Sequence, residues 1–218
     1  MARVTNSIKS KFAIPVHIKY LFFISLFLVT SCSYGQEISF KDTITTYNNK
    51  RMHVNKTGME VLGSWGVANI VDGGVGYFTA KQDQWKYFHE MNALWGVVNT
   101  GIAALSLANG RKERAEKLNA QQAYDVYKKS KKIYLVNGGL DLVYMATGVA
   151  LTKYAQNTKT NPALFTGFGK SIVMQGAFLF IFDSFMYTTH ARYDGKWRRI
   201  IDEINVSTNG VGIRHTLK

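Results

Sequence analysis

Ser171-Ile-Val-Met-Gln-Gly-Ala-Phe-Leu-Phe-Ile-Phe-Asp-Ser-Phe-Met-Tyr187 is the stretch that decides the fold. With its flanks, from Ala163 to Thr188, it is long and apolar enough to cross a bilayer as a helix, which takes about 20 residues. Yet Gln175 and Asp183 interrupt it, close to two turns apart and so on one side of the helix. Polar groups are costly in hydrocarbon and must face protein or water. A spanning helix with a polar seam belongs in a bundle.

Three earlier stretches repeat the pattern. Gly58–Ala80 carries Asn69 and Asp72, Tyr87–Asn109 carries His89, Asn92 and Asn99, and Ile133–Ala155 carries Asn137 and Asp141. In each, helical spacing places the polar residues in one stripe. Neither proline, Pro15 or Pro162, falls inside a stretch, so nothing breaks these helices. Lys81–Lys86 and Gln156–Asn161 are short enough to close two antiparallel hairpins, and Pro162 suits a first helical turn. The charged segment Gly110–Lys132 joins the hairpins. The reading is an all-α, four-helix, two-hairpin membrane bundle over residues 58–190. Gly96, Thr100, Ala104 and Ala108 recur every four residues and form a strip against which another helix packs closely, with Gly63, Gly66, Gly138 and Gly139 as counterparts.

The flanks differ in character. Residues 1–35 read as a signal peptide: Arg3, Lys9, Lys11 and Lys19 precede the apolar run Leu21–Val29, too short for a confident span. Cleavage fits after Gly35. The alternative is a lipobox, Val29-Thr-Ser-Cys32, with lipidation at Cys32. Residues 36–57 form a polar lead-in, extended and turning helical around Met52. In the tail, 191–218, Trp197–Ile204 continues the last helix amphipathically, and Asn209-Gly210 between β-favouring residues predicts a short β-hairpin over Val206–Ile213.

Composition narrows the function classes. The chain has 218 residues, 46% hydrophobic and 19% charged, which excludes a disordered chain. Cys32 is the only cysteine, so no internal disulfide and no Cys cluster for zinc or iron–sulfur is available. The net charge of +13 gathers in Arg111–Arg114 and Lys128–Lys132, which suit helix ends at lipid headgroups rather than nucleic acid. No Ser-His-Asp order, phosphate-binding glycine loop or His-Glu-x-x-His motif is present, and no cofactor or metal is expected. The residues favour a binding or structural role over an enzymatic one.

The polar seams have two readings. Asn and Gln on a shared face hydrogen-bond across helices and fix register. Carboxylates at bundle depth need protons, cations or water, so Asp141 and Asp183 mark a site for a ligand, an ion or a partner. Asn137, Gln175, His89, Asn92, Asn99 and Asn69 would line it. The partners expected are the bilayer and either a second copy or another envelope protein; the location is the bacterial cell envelope, the inner membrane rather than the outer.

Four blocks carry a family resemblance. Lys56–Ile70, Tyr87–Trp95 with Val98-Asn99, Asn137–Met145 and Gln175–Tyr187 resemble an uncharacterised bacterial family filed as a domain of unknown function. The resemblance covers roughly residues 50–190 and implies a multi-helix membrane protein without an assigned activity. Topology holds one conflict. A cleaved signal puts the basic linker 110–132 outside the cytoplasm, whereas the positive-inside rule puts it inside. Either the N-terminus stays inside, or one stretch does not span, or the helices form an exported bundle with a wet interior.

Overall fold

A computed structural model describes residues 40–113 and 118–208, with side chains over 43–112 and 118–202. The expected signal segment and Cys32 lie outside the described residues. Among the described residues five helices follow one another: α1 (Phe40–Thr79), α2 (Asp83–Glu113), α3 (Ala120–Asn157), α4 (Pro162–Ala191) and α5 (Asp194–Thr208). All four apolar stretches are helical, and among the described residues there is no strand.

Local chemistry sets the breaks. Asp83 opens α2, and Arg111 and Lys112 close it, each complementing the helix dipole. Asn119 caps α3 in a capping box with Gln122, each side chain bonding the other's backbone N–H. Asn161 takes a left-handed φ of 49°, which asparagine tolerates, and Pro162 then starts α4.

The extended lead-in is corrected: residues 40–57 belong to α1. Low helix propensity in the Thr- and Asn-rich stretch is overridden by packing. Ile44, Asn48, Arg51 and Asn55 recur at helical spacing; the first three are buried and Asn55 half-buried. Ile44 joins Ala123, Tyr127, Trp197 and Ile200 in one apolar cluster. The expected tail hairpin is also corrected in its first arm, since α5 runs through Thr208; residues 209–213 lie outside the described residues. Trp197 is 1% exposed and stacks on Tyr127, which docks α5 against α3. Tyr127 OH donates to Asp194, and Lys131 Nζ pairs with Asp194 Oδ2 at 2.6 Å. Burial raises the Asp194 carboxyl, but the bonds from Lys131 and Tyr127 and the charges of Lys131 and Arg198 outweigh it and hold it below the ordinary carboxylate range.

The four long helices pack in a defined order. The closest pairings are α1 with α2 and α3 with α4, and α2 with α4 joins the hairpins. Small residues set both hairpin distances. A Cβ at Gly66 would sit 2.8 Å from the Gly96 carbonyl oxygen, and one at Gly148 would sit 2.6 Å from that of Gly169. The expected strip on α2 thus meets Gly66. Gly139, by contrast, faces open space, and Gly148 with Gly169 does the work expected of Gly138 and Gly139.

Three helical segments, Asp83–Lys112, Ala120–Asn157 and Pro162–Asp202, are long and apolar enough to cross a membrane. The first apolar stretch, in α1, is not among them. The bundle nevertheless buries a row of polar residues beside the apolar core of Met59, Leu62, Leu179, Phe182 and Met186, and turns large apolar side chains outward. Among its buried residues are Asn69, Asn92, Asn99, Asp141, Gln175 and Asp183, while Val67, Val97, Leu105, Val143 and Ile181 are each more than half exposed. A water-soluble bundle keeps its outward face polar. Exposed Lys56, Arg111, Lys112, Lys128, Lys129, Lys132, Arg198 and Arg199 gather at the end where α2 gives way to α3. Because α1 also begins there, the conflict between charge bias and an exported N-terminus concerns one end of one bundle.

Candidate ligand-binding cavity

The eight residues singled out in the sequence divide into three groups. Gln175, Asn69 and Asn92 form a closed network. Gln175 Nε2 donates to Asn69 Oδ1 (2.7 Å) and Asn92 Oδ1 (3.2 Å), and its Oε1 accepts from Trp65 Nε1 (2.9 Å). Asn69 Nδ2 donates to the Trp65 carbonyl (2.8 Å), and Ser171 Oγ donates to Asn92 Oδ1. Gln175 and Ser171 are fully buried. This network ties α4 to α1 and α2, and polar bonds between helices fix register in this way.

Asp141, Asp183, Asn137 and Asn99 form the second group. They line a cavity of about 350 Å³ bounded by α1, α2, α3 and α4. Asp141 and Asp183 lie side by side on α3 and α4, with Asn137 next to Asp183. Asn99 and Asp141 are 1% and 2% exposed, yet Asn99 Nδ2 and Asp141 Oδ2 have no hydrogen-bond partner among the described residues. Trp95 Nε1, on another lining residue, is likewise unpartnered. Buried polar groups are normally satisfied, and each exception calls for an explanation. Here three converge on one cavity, offering one acceptor and two donors.

His89 stands apart. Its Nδ1 lies 3.2 Å from Asp72 Oδ2 near the α1–α2 turn, away from the cavity lining. The two residues pair with each other, and Asp72 remains exposed.

Sequence reasoning missed the aromatic wall. Trp95 and Tyr144 meet edge to face at 5.3 Å, and Tyr134 and Phe182 at 6.4 Å. Trp95 shares the Asn92–Asn99 stripe and Tyr144 the Asn137–Asp141 stripe, so a signal for both was present. Below the cavity Tyr134 OH donates to Asn55 Oδ1 (3.1 Å), and His190 Nε2 lies 2.9 Å from the same atom. Nothing local marked that cluster, because its members come from three helices. A second space of about 490 Å³, between α1 and α2, shares Asn55, Met59, Ile102 and Ser106 with the first.

The fold and the cavity define a helical bundle with membrane-compatible helices, polar residues buried beside its apolar core and a partly unsatisfied carboxyl site. Residues 61–184 match the family described as "Family of unknown function (DUF6992)", and the chain belongs to that family. No curated protein and no solved structure matches it.

Proposed function

We propose that this chain is an integral membrane protein of the bacterial cell envelope, delivered to the inner membrane by its N-terminal segment, whose interior cavity binds a small ligand at Asp141 and Asp183. The observation that carries the reading is the set of buried, unpartnered polar atoms at one cavity: Asp141 Oδ2, Asn99 Nδ2 and Trp95 Nε1. Leaving such groups unpaired costs roughly 1–3 kcal/mol each. A bound ligand or water removes that cost. The apolar exterior supports placement in lipid, and the basic end suits anionic headgroups. No step of covalent chemistry is proposed: the reading is a binding protein, not an enzyme.

A thermal-unfolding panel on the full chain in detergent tests it, with small amines set against carboxylic acids of matched size. Amines are expected to raise the midpoint of the wild type and to leave Asp141→Asn/Asp183→Asn unmoved. A midpoint that no amine shifts in the wild type contradicts a carboxyl site.

The closed network of Gln175, Asn69, Asn92 and Ser171 favours a second reading, in which the polar seam serves packing alone. That reading accounts for the network but leaves Asp141 and Asn99 without a reason. Self-association or another envelope protein would then supply the partner.

A further inference from the structure

The cavity is polar at its back and apolar at its mouth. Of the residues lining it, those that are themselves exposed are Val98 and Ile102 on α2 and Ile133 and Leu140 on α3, each 46–51% exposed. The polar lining residues are buried or half-buried. α2 and α3 are not among the helix pairs that pack closely, and they meet at the ring edges of Trp95 and Tyr144. A site filled from water would put polar side chains at its entrance. The exposed part of this lining faces sideways, onto the apolar surface that the bundle turns outward, while the adjoining space toward the basic end carries Lys56, Glu60 and Arg111.

We infer that the ligand is an amphiphile that enters from the bilayer, its amino-alcohol head against Asp141, Asp183 and Asn99 and its hydrocarbon tail leaving between α2 and α3. The inference rests on the ligand-binding reading above and names the class of ligand. Among the described residues the lining holds two carboxyls and no Lys, Arg or His, and the nearest cations, Lys56 and Arg111, line the adjoining space, so an anionic head has no counter-charge beside Asp141 and Asp183. An ammonium supplies up to three donors for Asp141 Oδ2 and its surroundings. The aromatic walls of Trp95, Tyr134 and Tyr144 favour a cation over an anion. Asn99 Nδ2 and Trp95 Nε1 are donors in need of an acceptor, which a hydroxyl beside the amine provides. The volume of about 350 Å³ equals roughly twelve waters at about 30 Å³ each, enough for a head and the first part of a chain but not for a whole lipid.

Photolabelling in phosphatidylcholine nanodiscs tests this with the full chain. The probe is a long-chain 2-amino alcohol bearing a diazirine in its tail. The expected result is labelling of peptides containing Val98–Ile102 and Ile133–Leu140, reduced at least roughly tenfold in Asp141→Asn/Asp183→Asn. Leu140→Trp, on the exposed rim, narrows the mouth without touching the core and is expected to lower labelling equally. Equal competition by a fatty acid of the same chain length overturns the inference. Labelling spread evenly over all outward helix faces, unchanged in both variants, also overturns it. Competition by ethanolamine as strong as that by the long-chain compound overturns entry from the bilayer and leaves the cavity reading standing. Failure of both amines to compete sinks both.

Discussion

Gln175 and Asp141 are both buried polar residues of the bundle interior, and the structure assigns them unequal effects on stability. Gln175→Leu keeps the volume and removes three hydrogen bonds, to Trp65, Asn69 and Asn92, that join α4 to α1 and α2. Bonds between membrane helices average about 0.6 kcal/mol and reach about 1.7. Two of these are short and one is long, so the expected loss is about 1–2 kcal/mol, a factor of roughly 5–30 in the folded-to-unfolded ratio. Asp141→Asn removes no bond at Oδ2, which has no partner among the described residues, and keeps the size of the side chain. Its expected cost is below that of one average bond, about 0.6 kcal/mol, and a gain is consistent with the same logic, since binding sites are commonly held at the expense of stability. Unfolding by dodecyl sulfate in mixed micelles, followed by circular dichroism, reads both values. The reasoning fails if Gln175→Leu is neutral, or if Asp141→Asn costs more than Gln175→Leu.

Other consequences follow from the packing and the charges. Gly66→Val and Gly148→Val push a side chain into backbone at 2.8 and 2.6 Å, and each should cost about 1–3 kcal/mol by overpacking, whereas Gly139→Val, in open space, should be nearly neutral in the same assay. For Asp194, whose folded carboxyl sits below its unfolded value, the stabilisation is present above the unfolded pKa of about 3.9 and is lost as pH falls through the folded one. Asp194→Asn should therefore flatten the acid limb of the stability curve, by less than about 1 kcal/mol because the pair is partly exposed. If the N-terminal segment governs topology, as the first segment usually does, an export-dependent reporter inserted at residues 114–117 is active; activity of a cytoplasmic reporter there means that the basic residues govern instead.

Periodicity alone reveals the seams because helical spacing fixes the direction in which each side chain points. It thereby brings Asn137, Asp141, Asn99 and Asp183 to one interior. It does not fix depth, since the level at which two helices meet depends on long-range register. His89 and Asn92 share a stripe, yet Asn92 reaches Gln175 at mid-bundle while His89 meets Asp72 near the turn. The same limit separates Gln175 from Asp183 on α4, two turns apart and in different clusters. The helix at 40–57 and the docking of α5 were hidden for another reason. They depend on Tyr127 and Trp197, residues far apart in the chain whose rings lie 5.5 Å apart, and local propensity argues against the first of them.

Placement of the apolar surface in lipid is the claim on which the rest stands, and accessibility at Val97, Val143 and Ile181 tests it most directly. These residues lie on α2, α3 and α4 and are 61%, 58% and 69% exposed. With Cys32 as the only native cysteine, single spin labels are readily introduced at each on a Cys32→Ser background. In reconstituted bilayers the account predicts high accessibility to oxygen and low accessibility to a water-soluble nickel chelate at all three positions. High accessibility to the nickel chelate at any two of them would contradict it.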